Sequence, residues 1–416
     1  MNTRFSHSAI SLALATSALM LTACGGSSSS SSSEHEHEHS GRVLISDSDS
    51  TTLHVFDQAE EAFETLDADA PANGSDLLLA DDGLSAAVLG NNSVYFVNAG
   101  LEEHEEEHEH EHEEASLISY TVSGSSVGPV IISREHFSIL VDGATKFVPT
   151  DDMEELSGTD VESFDPVVNQ TYPALMLDDD SETVLAFASN AATVYSNGSA
   201  TTTTISCSDP YLAAESEHIT LFGCGTDSLY FISEEGDFDQ IAEVTLPNGV
   251  TAWPQKWITN GHDIIGYSAD ALIALETTEE ADVVSVTAED VSDALASASG
   301  NFCTAAYATE LSEYAAVVTD AGFIYIANIE DNSVLPIHLE DSIGTELSCS
   351  DLALAPGAEG FVVADDDADL LYFIDSHNEG GNFHIHEKQD LDSGISGIAD
   401  MVFMHAIEDG EHDHDH

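Results

Sequence analysis

The strongest constraint in this chain is that it repeats itself. Residues 74–100 read GSDLLLADDGLSAAVLGNNSVYFVNAG, and residues 349–376 read CSDLALAPGAEGFVVADDDADLLYFIDS. Each copy opens on a small-residue turn and runs through an apolar stretch of strand length. A polar turn, a second apolar stretch, another turn and a third stretch rich in aromatics follow. Further copies open near Gly128, Tyr172, Asp209, Trp253 and Cys303, making seven complete copies. An eighth is divided between the ends, with GRVLISDSDSTTLHVFD at residues 41–57 and GISGIADMVFMHAI at residues 394–407. Short apolar strands in repeats of this length cannot bury both sheet faces alone, so neighbours must stack around a ring. The expected fold is therefore all-β, an eight-bladed β-propeller closed by strands from both termini, with seven blades as the alternative.

Much of the sequence is absorbed by that fold. Tyr95 with Phe96, Tyr230 with Phe231 and Tyr372 with Phe373 recur at one position of the repeat and read as blade packing, as do Trp253 and Trp257. A helical candidate lies at residues 288–298. Four cysteines fall within the repeats, Cys207, Cys224, Cys303 and Cys349, and they permit three pairings. Cys207 with Cys224 and Cys303 with Cys349 are favoured, because each pair links segments that the repeat places close together. The rival, thiolate ligation of zinc, lacks any CxxC spacing.

The first residues belong to export. Arg4 precedes an apolar stretch at residues 9–21, too short to span a membrane as a helix, which ends on Leu21-Thr22-Ala23-Cys24. That is the pattern of a lipoprotein signal, residues 1–23, with Cys24 acylated as the new N-terminus. Gly25 and Gly26 after the cysteine point to an outer-membrane destination, facing the periplasm. Residues 24–40 carry the anchor, a serine run at 27–33 that reads as a flexible linker, and a His-rich motif. The propeller is expected over residues 41–407, with a His/Glu-rich insertion at 102–114, and a His/Asp-rich tail over 408–416.

Charge excludes one class of function. With 79 Asp plus Glu against 6 Lys plus Arg, the net charge is −73 with His neutral. Nucleic-acid binding needs clustered cations to displace counterions, and this chain does not have them. An anionic membrane surface would repel the domain for the same reason, leaving the lipid as the expected membrane contact. The chain is expected to act as a monomer.

The histidines are placed where chemistry is available. Of 20, thirteen fall in four clusters: His35, His37 and His39; His104, His108, His110 and His112; His377, His384 and His386, expected in the connection after the last full blade; and His412, His414 and His416. Imidazole is a favoured neutral ligand of zinc, and carboxylates can complete the shell. Strict alternation with Glu or Asp sends the imidazoles to one side of an extended chain and the acids to the other. Such arms are expected to be disordered without metal and to exchange it readily. Copper, nickel or cobalt could use the same ligands; zinc is favoured because no Met-rich or Cys-rich tract accompanies the histidines. His54, in a strand, His218 and His262, in turns within blades, and His338, between blades, read as packed or solvated residues. His136, which follows an innermost-strand pattern at Arg134-Glu135-His136, and His405, at the end of the closing strand, are the candidates for an ordered site on the propeller face.

These features together resemble the periplasmic zinc chaperones of the AztD type, which serve zinc-importing ABC transporters. The resemblance rests on HEHEH at residues 35–39, the insertion after Val97-Asn98-Ala99-Gly100, and the segment from Gly128-Pro129 through His136 to Val141-Asp142-Gly143. Cys207, Phe222-Gly223-Cys224-Gly225 and the His-ending tail also match. It implies a propeller that binds Zn(2+) and passes it to the solute-binding protein of the importer, with the N-terminal motif taking part, and no catalytic role. Two departures stand out: the lipid anchor, and Tyr211-Leu212-Ala213-Ala214-Glu215 where the family has a His-Gly-Glu stretch. The alternatives are a propeller enzyme of lactonase or quinoprotein type, and a surface lipoprotein scaffold.

Overall fold

The chain divides into two units, Met1–Glu38 and His39–His416, and the first lies outside the described residues. The computed structural model describes residues 41–405, apart from 67–74, 81–82, 102–112, 151–152, 168, 179–181, 217–218, 234–237, 239–240, 261–262, 270, 281–282, 292–297, 310, 312, 330–332, 340–346, 358–359, 377–380 and 393. Eight antiparallel sheets make the blades, numbered here from the one that closes the ring. Their innermost strands are Ile398–Met404 in blade 1, Leu77–Leu79 in blade 2, Val127–Ile132 in blade 3 and Gln170–Met176 in blade 4. Pro210–Glu215, Lys256–Thr259, Phe302–Tyr307 and Leu352–Pro356 follow in blades 5 to 8. Each touches the next, and Leu352–Pro356 touches Ile398–Met404, so the circle is complete. The eight-bladed expectation holds.

Period-two alternation builds the junctions. In blade 1, Val43 and Ile45 face blade 8 while Leu44, between them, faces blade 2. One apolar cluster of this kind fills each of the eight junctions. A strand covered on both sides has no polar face, which is why Gly360–Asp365 is buried throughout. Outer strands differ. Phe383–Asp390 alternates between exposed and covered residues, and Ser199–Ser206 is mostly exposed.

Blade 1 takes three strands, Arg42–Asp47, Leu53–Asp57 and Ala62–Leu66, from the start of the domain and its innermost strand from the end. Arg42 stands opposite Met404 and Val43 opposite Phe403. Two disulfides join neighbouring blades: Cys207 with Cys224, and Cys303 with Cys349, each at 4.9 Å between Cα atoms. The favoured pairing is the one present. Aromatic packing also follows expectation, with Trp253 buried beside Trp257 and Tyr372 fully buried.

Three placements are corrected. Ala288, Glu289 and Asp290 end the outer strand Val283–Asp290 of blade 6 rather than starting a helix; residues 292–297 lie outside the described residues. His338 ends the outer strand Val334–His338 of blade 7 instead of falling between blades. His384 and His386 lie within the outer strand Phe383–Asp390 of blade 8, not in a connection after it. Among the described residues no helix is long and apolar enough to cross a membrane.

Antiparallel order fixes what each end of the ring carries. At one end lie the turns from first to second strand and from third to fourth, here called the turn end. The opposite, link end carries the turns from second to third strand and the blade-to-blade links.

Candidate metal site

Arg42 begins the second strand of blade 1, at the turn end, and is buried. Its Nε and Nη2 each lie 2.8 Å from Oδ2 of Asp57, also buried. Nη1 donates to the carbonyl of Ala99 and, at 2.6 Å, to that of Glu113. Ala99 and Glu113 flank residues 102–112, so one guanidinium closes the base of the His/Glu-rich insertion. Gly100 makes this possible: its φ is +67°, and a Cβ there would stand 2.5 Å from the Glu113 carbonyl. The outer strand of blade 2 is split around the same place, Ser116–Leu117 and Val122–Ser123 both pairing with Ser93–Asn98.

The two other routes meet there as well. His35, His37 and His39 precede Gly41 in the chain, and Gly41 accepts a hydrogen bond from Gln58 N. At the other terminus Met404 pairs with Arg42, and the His405 amide donates to Gly83 O, in the first turn of blade 2, at 3.0 Å. His412, His414 and His416 follow His405. Three of the four clusters thus root at the turn end of blades 1 and 2. His35, His37, His39, His104, His108, His110, His112, His377, His412, His414, His416 and Cys24 themselves lie outside the described residues, as do His218 and His262.

The fourth cluster roots next door. His384 and His386 sit near the start of the outer strand of blade 8, which also begins at the turn end, and both are exposed. Their rings are 6.1 Å apart. Asp375 stands opposite His384. Glu387 is held above the usual carboxylate range, by burial first and then by the negative charge of Glu61 on the adjacent blade; His386 pulls the other way.

His136 and His405 belong to this end too, though neither is simply open to solvent. His136 follows the innermost strand of blade 3 and opens the second, and its Nδ1 is 2.6 Å from Arg134 O. The two-residue turn before it, Arg134 and Glu135, takes positive φ at both positions. Glu215 of blade 5 reaches this turn: it accepts from Ser133 Oγ at 2.9 Å and Arg134 N at 3.0 Å. The stretch from Tyr211 to Glu215 therefore delivers a carboxylate beside the His136 turn, two blades away. His405 is buried beside Phe403.

His54 and His338 follow the packed reading. His338 lies edge-on to Phe323 at 4.5 Å. His54 is 3% exposed, its ring nitrogens find no hydrogen-bond partner among the described residues, and burial lowers its pKa against the pull of Asp47 and Asp392. Its neighbour Asp47 is a structural clamp at the link end. Its carboxylate accepts from Asp49 N, Ser50 N, Ser396 N and Ser396 Oγ, which hold its pKa down against the effect of burial. Among the described residues no three His, Cys, Asp or Glu side chains already stand as a metal-ligand set.

No protein-family model matches the chain, and no curated protein matches it by sequence. Solved structures do. AztD from Citrobacter koseri, in its apo form and in a second crystal structure, aligns with a TM-score of 0.68 at 14% identity, covering 88% of this chain and 97% of that one. A protein of unknown function from Desulfotomaculum acetoxidans aligns at TM-score 0.50 and 8% identity, over 88% of this chain and 99% of that one. At these identities the likeness is one of fold: this chain is an eight-bladed propeller similar to that of AztD.

Proposed function

We propose that this protein is an exported, lipid-anchored metallochaperone. It captures zinc in the periplasm through its histidine clusters and hands it to the solute-binding protein of a zinc ABC importer. The observation that carries this reading is the common root of the clusters. Gly41, Ala99 with Glu113, and Met404 with His405 all meet around Arg42, and His384 with His386 lie on the next blade.

Covalent reach turns that root into chemistry. At about 3.5 Å per residue, His39 stays within about 7 Å of Gly41, and His104 within about 11 Å of Leu101. His412 stays within about 25 Å of His405 on the same basis. Ligands tethered into so small a volume meet at effective concentrations on the order of millimolar, so several segments can close on one ion. The acids around them lower the energy of the bound dication. Protons compete with the metal for the imidazoles, so binding weakens as pH falls. Exchangeable coordination of this kind suits capture and transfer rather than catalysis, and the role proposed is non-enzymatic.

The test is zinc calorimetry on the full chain and on a variant with the four clusters changed to Ser, followed by transfer to a purified zinc-specific solute-binding protein. The parent is expected to bind several ions near neutral pH, release most by about pH 5, below the ordinary His pKa, and load the partner. Equal binding by the variant would remove the clusters from the account. Binding without transfer would leave a zinc store rather than a chaperone.

A further inference from the structure

The outer strand of blade 8 carries a pattern that its packing does not require. Its covered positions, Phe383 and Ile385, serve the junction with blade 7, while His384 and His386 project on the other side. Phe373 pairs with Glu387 and Ile374 with Ile385, so His386 is the extra residue of a β-bulge. A bulge re-aims a side chain, and here it leaves the two imidazoles facing each other in a T at 6.1 Å. Asp375, opposite His384, shares its face of the sheet.

We propose that His384, His386 and Asp375 form an ordered site for one divalent ion of the zinc class, held on a rigid strand beside the roots of the arms. The inference deepens the metal-binding reading above and rests on it. Two imidazoles bound to one tetrahedral ion at about 2.0–2.1 Å place their ring centres about 5 Å apart. The observed rings need to close by only about 1 Å, which exposed side chains do by small rotations within nanoseconds. His384 Nδ1 lies 3.3 Å from Asn382 O. With that carbonyl as acceptor, Nδ1 carries the proton and Nε2 the lone pair, the orientation that ligating histidines take from a carbonyl behind them. Asp375 supplies the anionic third ligand. Lys388, the nearby cation, lies over the Tyr372 ring at 5.5 Å. The fourth position stays open to solvent, as suits an ion on its way elsewhere.

The experiment uses Co2+ as the probe, read by its tetrahedral visible absorption. The host is the full-length chain with His35, His37, His39, His104, His108, His110, His112, His377, His412, His414 and His416 changed to Ser. This arm-silent chain is expected to bind about one ion. His384→Ala with His386→Ala should abolish the spectrum, and Asp375→Asn should weaken binding about tenfold or more. Melting temperatures should be unchanged, since both imidazoles are exposed. Cobalt binding that survives the double substitution would overturn the site, as would an arm-silent chain that binds nothing while the parent binds. In both cases the arms keep their role. A parent chain that binds no ion would overturn the metal reading itself.

Discussion

Arg42→Met removes the guanidinium that ties three chain segments together, and its effect can be worked out group by group. Asp57 keeps the amides of Ala59 and Glu60 on Oδ1, at 2.9 and 3.1 Å, but Oδ2 loses both of its nitrogens. Breaking one side of a buried ion pair costs about 3–5 kcal/mol, because the partner charge stays desolvated. The carbonyls of Ala99 and Glu113 lose their donor as well, which holds the cost within that range even though the Asp57 turn survives. A domain of this length has an unfolding entropy near 0.8 kcal/mol/K, so the melting temperature should fall by about 5 °C. Calorimetric melting of Arg42→Met, Asp57→Asn and the double variant gives the coupling directly. The double variant should be less destabilised than the sum of the singles by more than about 1.5 kcal/mol. A melting point within 1 °C of the parent (roughly 0.8 kcal/mol on the same entropy), or strictly additive singles, would refute the argument.

Other outcomes follow from groups away from that root. Burial depresses the pKa of His54, so the folded state binds this proton less readily than the unfolded chain. Stability from this residue is complete above about pH 6.5 and is lost as pH falls below it; His54→Phe should flatten that part of the pH–stability curve, and an unchanged curve would contradict the assignment. Asp366 and Asp400, raised mainly by burial, act with opposite sign and lower on the scale, adding stability as they become protonated. The disulfides close loops with sequence separations of 17 and 46 residues, worth about 3 and 4 kcal/mol in the chain-entropy account. Replacing Cys303 and Cys349 with Ala should therefore lower the urea midpoint more than replacing Cys207 and Cys224, and the reverse order would count against that account.

The ring is legible in the sequence because the second strand of each blade is largely buried on both sides and must be apolar. Val43 to Ile45 and Phe361 to Ala364 leave no other reading. The fourth strands were not legible for the converse reason. Ser199–Ser206 is mostly exposed and is half threonine, and Phe383–Asp390 reads as polar because six of its eight residues are. From sequence alone His384 and His386 therefore read as part of a connection, and Ala288 to Asp290 as the start of a helix. The disulfide partners were legible because the repeat brings them together. Glu215 was not, since its approach to Ser133 and Arg134 spans two blades. The role of Arg42 was hidden too: nothing in its neighbours signals contact with residues 99 and 113. The histidine clusters were visible at once, but their shared root depends on which strand each one follows.

The central claim is that these clusters work as one because they start from one place. The direct measurement compares zinc affinity, by calorimetry at one pH and salt concentration, for the intact chain and for three synthetic peptides covering residues 34–40, 102–114 and 408–416. If tethering brings the segments together, the intact chain binds its first ion at least about tenfold more tightly than the best peptide. If the best peptide matches the intact chain, the shared root adds nothing, and the arms are independent ligands that happen to leave the same end of the ring.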